Sequence, residues 1–315
     1  MTSKHARLGN SLAELLTGRW LLMSALVGIF AGGAAIVFQV LAESVGHFVL
    51  EHASGFRAIG ADGEYRLFES QSGSISLIAV VGVLILGGLI SGFLVYRFAP
   101  ETAGPGTNGA IDAFHNKRGI LSVRIAIIKT VASALTLGTG GSGGREGPIA
   151  QIGASVGSCV GQLLNLSARD RRILLAAGMG AGVGAVFRAP LAGALFAGEI
   201  LCRDADIESD VIVPSAIASI IAYSVYGLFL PDHLCFVQVF GVLPEFEMLS
   251  VAELLPYSLL ALALVVVGHL YTRCFREMQR LFSRLPGPRM IRPAIGGGLA
   301  GLLAIALFHI HDGNQ

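Results

Sequence analysis

Charge is what this chain has least of. Only 14% of its residues are Asp, Glu, Lys or Arg, against about 25% in soluble domains, which excludes an ordinary water-exposed surface. The two signs nearly cancel, 22 basic against 21 acidic. No basic tract stands out of the kind that nucleic-acid binding needs. Cysteine is equally sparse. Cys159, Cys202, Cys235 and Cys274 match no metal or disulfide spacing, so they read as packing residues, and no metal or organic cofactor is expected. Heptad arrays, low-complexity tracts and a separate soluble domain are all missing.

Apolar residues, at 53%, and 42 glycines fill the space that charge leaves. That mixture suits helices packed closely in lipid. A spanning helix needs about 20 apolar residues, and five stretches qualify: 20–41, 74–96, 211–230, 254–271 and the glycine-rich 290–308. The first exceeds a signal core of about 7–15 residues and no cleavage motif follows, so it is read as a retained span. Between 123 and 202 the apolar runs shorten and break at Gly and Pro, at 123–137, 148–164, 173–186 and 190–201. Interrupted segments of this kind predict half-helices, which are tolerated at membrane depth only around an enclosed cavity. The expectation is an all-α, polytopic membrane protein of tilted and broken helices.

Basic residues alternate in side. They gather in the N-terminal tail, at Arg97–Arg124, at Arg169–Arg172 and at Arg273–Arg292, whereas 42–73 is acidic and 231–250 has no Lys or Arg. Basic clusters belong in the cytoplasm, which places the N-terminus and those regions inside and the two loops outside. The basic stretch from Arg273 predicts a partly amphipathic helix lying at the cytoplasmic face.

The most informative stretch runs from Gly138 to Pro148, G-T-G-G-S-G-G-R-E-G-P. A glycine-dense loop leads through Arg145 and Glu146 into Gly147, Pro148 and an apolar run. Pro is favoured in a helix's first turn, where an N–H would be unpaired. The free N–H groups and the helix dipole there attract an anion, and an ionisable residue at membrane depth is functional by default. Glu146 can sit there as a tethered anion and leave when protonated; the plainer reading is a helix cap. A second loop, Gly104-Pro105-Gly106-Thr107-Asn108, precedes another short apolar face. Its helix N-terminus could face the first across a pore, although Pro/Gly clusters are also common turns. The stretch Gly184–Gly193 breaks a helix at Ala189–Pro190, for packing or for function. Lys129, within an apolar helix, costs about 2.5–3.5 kcal/mol to insert alone. It must find an interior partner or supply positive potential for anions.

These motifs, in this order, resemble the CLC family of chloride channels and proton-coupled anion transporters. G-R-E-G-P at Gly144–Pro148, Q-I-G at Gln151–Gly153 and A-P-L-A-G at Ala189–Gly193 carry the resemblance. It implies transmembrane transport of chloride or related anions, gated by Glu146, with Gly104, Pro105, Gly106, Thr107, Arg145, Gly147 and Pro148 forming the anion site. Lys129 matches a buried lysine of the family. Glu199 matches the first of two adjacent glutamates, and Ile200 stands where many exchangers carry the second. The family's chloride-selective loop has Ser where this chain has Pro105; members with Pro tend to favour nitrate. The resemblance also implies a homodimer with chloride or nitrate and protons as partners. It implies a multi-pass location in a plasma or inner membrane.

The family fold is two inverted halves, and the second is expected to be largely truncated here. The expected division is a tail at 1–19, a body at 20–272 and a basic linker with the start of the second half at 273–315. Two other readings stand beside transport: a non-transporting membrane protein, and an intramembrane serine protease pairing Ser142 with His269. A nucleotide loop at Gly138–Gly147 lacks the G-K-[ST] ending.

Overall fold

The computed structural model describes residues 18–56, 64–69, 75–202, 205–231, 234, 239 and 251–312, with backbone alone at 205–209 and 311–312. Most of the predicted N-terminal tail, Asp62, Cys235 and nearly all of 232–250 therefore lie outside the described residues. Regular structure among the rest is entirely helical. In chain order the helices are α1 (Gly18–Val45), α2 (Leu77–Phe98), α3 (Thr107–His115), α4 (Val123–Gly138) and α5 (Glu146–Leu163). They continue as α6 (Ala168–Val186), α7 (Pro190–Leu201), α8 (Ala205–Gly227), α9 (Leu254–Arg284) and α10 (Arg292–Asp312).

Five helical stretches are long and apolar enough to cross a membrane, and they fall on the five predicted spans. Two run further than the sequence suggests. The first continues from Gly18 to Ser54 through a π-helical turn at Gly46–Glu51. Pairs four residues apart hold the polar side chains of its last turns: the Gln39 amide donates to Glu43, and His47 Nδ1 meets Glu51 at 3.0 Å. Such pairs support a helix where hydropathy alone predicts a loop. The other is α9, which passes unbroken through 272–273, where a boundary was expected. Between Gly268 and Leu285 it meets neither Gly nor Pro, and its Arg, Leu, Met, Gln and Glu are good helix formers. The basic stretch from Arg273 to Arg284 is thus the end of a long helix rather than a separate surface element.

α6 is the hub. Every residue from Ile173 to Val186 is buried, with α1, α5, α7 and α8 packed around it. Small side chains permit this crowding. Gly153 of α5 and Gly178 of α6 approach so closely that a Cβ on either would strike the other's carbonyl. Outward faces carry bare Phe30, Ile78, Leu86 and Leu191, as lipid-facing surfaces do. α10 packs along α2. α9 has no buried residue.

Candidate anion site

The site is built where two helices begin. α3 starts at Thr107 behind Gly106, and α5 starts at Glu146 behind Arg145. Gly104 and Gly106 hold φ of 86° and 106°, values a side chain strongly disfavours. Their loop rests directly on the first turn of α5. A Cβ on Gly106 would enter the Gly147 carbonyl, and one on Gly147 would enter the Pro105 carbonyl. The two helix starts abut rather than face each other across a gap. Only backbones without side chains come this close.

The first hydrogen bonds in these helices run from Gly109 N to Gly106 O at 3.1 Å and from Ile149 N to Arg145 O at 3.0 Å. The amides of Thr107, Asn108, Glu146 and Gly147 precede them and have no acceptor among the described residues. Pro148 contributes no N–H to this set. Four unpaired donors and the positive ends of two dipoles meet in one place, which suits a small anion.

Lys129 fixes the loop from α4. Its side chain is 4% exposed, and Nζ donates to the carbonyls of Thr102 at 3.0 Å and Gly104 at 2.7 Å. Its partners are thus two backbone carbonyls. Its Cα lies six positions into α4, about 9 Å along the axis. The fully buried Gln151, one turn into α5, braces the other side. Its Nε2 reaches the Glu101 carbonyl at 3.4 Å, and its amide lies against Gly106 and Gly109.

The Glu146 side chain is exposed and folds back over Gly144. It makes no hydrogen bond or ion pair among the described residues. Arg145 points elsewhere. It pairs with Glu64 and donates to Gln39 Oε1 at 3.1 Å, so its guanidinium engages α1 and the 64–69 segment. Beside it is a cavity of about 180 Å³ lined in part by Glu43, His47, Glu51, Glu64, Arg66 and Arg145. The same segment is held by Leu67 N on Glu43 at 2.8 Å and by Phe68 stacked on His47.

Glu199 is exposed and Ile200 half-buried on the last turn of α7. Neither touches the loop at 104–107 through a hydrogen bond. His115 ties the end of α3 to the Leu201 carbonyl at 2.8 Å. No hydrogen bond joins Ser142 to His269, which lies on α9, so the protease pairing is not assembled. Among the described residues no group of three His, Cys, Asp or Glu could hold a metal. Sequence reasoning did not assign a role to Gln151 or find Glu64. Gln151 stands inside the quoted motif but carries no signal of where its amide points. Glu64 meets Arg145 from 81 positions away.

Residues 87–314 match the model of a family described as voltage gated chloride channel. The chain belongs to this family, the CLC proteins. CLC proteins are channels or transporters rather than enzymes. The chain is 30% identical over 296 residues to an H(+)/Cl(-) exchange transporter ClcA of Vibrio parahaemolyticus, covering 90% of this chain and 58% of that one. It is 27% identical over 301 residues to a chloride/fluoride channel protein of Pseudomonas syringae pv. tomato, covering 93% and 58%. The crystal structure of a slow cyanobacterial Cl-/H+ antiporter superposes with a TM-score of 0.71 at 24% identity, covering 91% and 64%; this likeness speaks to the fold. The chain spans little more than half the length of the two relatives. The CLC membership supports anion transport as the general role.

Proposed function

We propose that this chain forms an anion pathway in which chloride, or nitrate, occupies the four free amides at the Gly106–Gly147 contact and Glu146 is the gate. The abutting helix starts carry this reading. Backbone dipoles there replace hydration without bringing a fixed full charge onto the ion. Glu146 sits on the same turn, unpaired among the described residues, so its carboxylate is free to compete for those amides and to leave when protonated. Lys129 and Gln151 keep the loop in place, and Arg145 is held by Glu64 at the mouth. Glu199 and Ile200 line the other end of the pathway. Pro105 favours nitrate over a strictly chloride-selective site. The protein works as a homodimer in a plasma or inner membrane with its N-terminus in the cytoplasm.

The test is efflux from liposomes holding purified protein, with chloride and nitrate compared across external pH. Glu146→Gln should remove the pH response while flux persists, and Glu146→Ala should do the same. A pH response in Glu146→Gln equal to the wild type refutes the gate. Absence of flux under all conditions favours a non-transporting membrane protein.

A further inference from the structure

The chain's charges balance overall at 22 against 21, yet one stretch departs from that balance. From Arg273 to Arg292 there are six arginines and a single acid, Glu277. Arg273, Arg276 and Arg280 lie at spacings of three and four, on one helix face. Together with His269 and Glu277 they form one open, exposed patch of α9. Glu277 is taken by Arg280 at 2.6 Å. Arg273 has no ion-pair partner among the described residues.

The position of this patch follows from length. α9 has 31 residues, about 46 Å at 1.5 Å each, against a hydrocarbon layer of about 30 Å. Its first half is bare and apolar, with Leu255 69% and Val265 70% exposed. With that half in the hydrocarbon, the turns bearing Arg273 to Arg280 emerge at headgroup level. The turn at Arg289–Ile291 packs on α2, the helix that ends beside Arg97, so Arg97, Arg289 and Arg292 belong to the same end.

We propose that the Arg273–Arg276–Arg280 face binds the phosphate of an anionic membrane lipid, whose chains lie along the apolar half of α9. The charge matches, guanidinium forks suit phosphate oxygens, and basic clusters beside a span attract anionic lipid. The proposal does not depend on the anion-pathway reading.

Native mass spectrometry of the full chain in detergent tests it, with phosphatidylglycerol or phosphatidylcholine added. Wild type should retain phosphatidylglycerol preferentially, and the triple variant Arg273→Gln, Arg276→Gln, Arg280→Gln should bind it about a hundredfold more weakly. The corresponding triple Lys variant keeps the charge and should retain most of the binding, a result that a misfolded Gln variant does not affect. Raising salt from about 0.1 M to about 1 M shortens the screening length from about 10 Å to about 3 Å, and should weaken phosphatidylglycerol binding to wild type. Equal retention of the two lipids by wild type overturns the proposal, as does equal phosphatidylglycerol retention by a folded Gln variant. Full displacement of the lipid by inorganic phosphate overturns the commitment to a lipid headgroup.

Discussion

Replacing Gly104 and Gly106 by alanine, one at a time, separates two costs that the anion loop combines. Both have positive φ, 86° and 106°, and holding a side chain in such a sparsely populated region costs about 1–3 kcal/mol. Their surroundings differ. A Cβ at Gly104 meets nothing within 4 Å, whereas one at Gly106 meets the Gly147 carbonyl and Gln151. The carbonyl is backbone and cannot rotate away, so helix starts must part. Overpacking of this kind adds about 1–3 kcal/mol. Gly104→Ala should therefore lose about 1–3 kcal/mol of stability and Gly106→Ala about 2–6. Only the second should spread the four amides. If half of that extra loss falls on the bound anion, chloride affinity drops roughly tenfold for each 1.4 kcal/mol. Thermal unfolding in detergent, followed by the loss of helical circular dichroism, reads stability; calorimetric titration reads affinity. Gly33→Ala is the control, since a Cβ there meets nothing and alanine is the better helix former by about 1 kcal/mol. Equal losses at Gly104 and Gly106 would refute the claim that the loop is set by backbone contact.

Lys129→Met should lower unfolding stability by about 1–3 kcal/mol, because it strands the buried carbonyls of Thr102 and Gly104; a variant as stable as wild type argues against the clamp. Glu64→Gln should change stability by less than about 1 kcal/mol, since the pair with Arg145 is partly exposed. It should speed anion association at low salt by removing a negative charge beside Arg145, and rates independent of Glu64 at every ionic strength count against that. Gly178→Leu should prevent recovery of folded protein, because the added side chain enters the Gly153 carbonyl; a monodisperse, fully helical product contradicts the packing described for α5 and α6.

Hydropathy located the long spans because lipid admits few ways to hide twenty residues. The short helices were legible through their Gly and Pro breaks, down to the start of α7 at Pro190. What could not be read was how far polar sequence stays helical. Glu43, His47 and Glu51 look like loop until their partners four residues away are seen. The site divides the same way. Glycines and Glu146 announce a helix start, since chemistry of that kind is written locally. Direct contact between Gly106 and Gly147 joins a loop to a helix start 41 positions away, and Arg145 turns away from the loop because Glu64 and Gln39 hold it. Those facts belong to packing, and no local spacing encodes them.

The glycine contact between α5 and α6 sets a limit on motion. Carbonyls interlocked at Gly153 and Gly178, and again where Gly157 meets Leu174, leave α5 no slack to tilt or slide as a rod. Under the proposed gating, the moving part is then the swing of one carboxylate on a still frame, at the picosecond-to-nanosecond pace of an exposed rotamer.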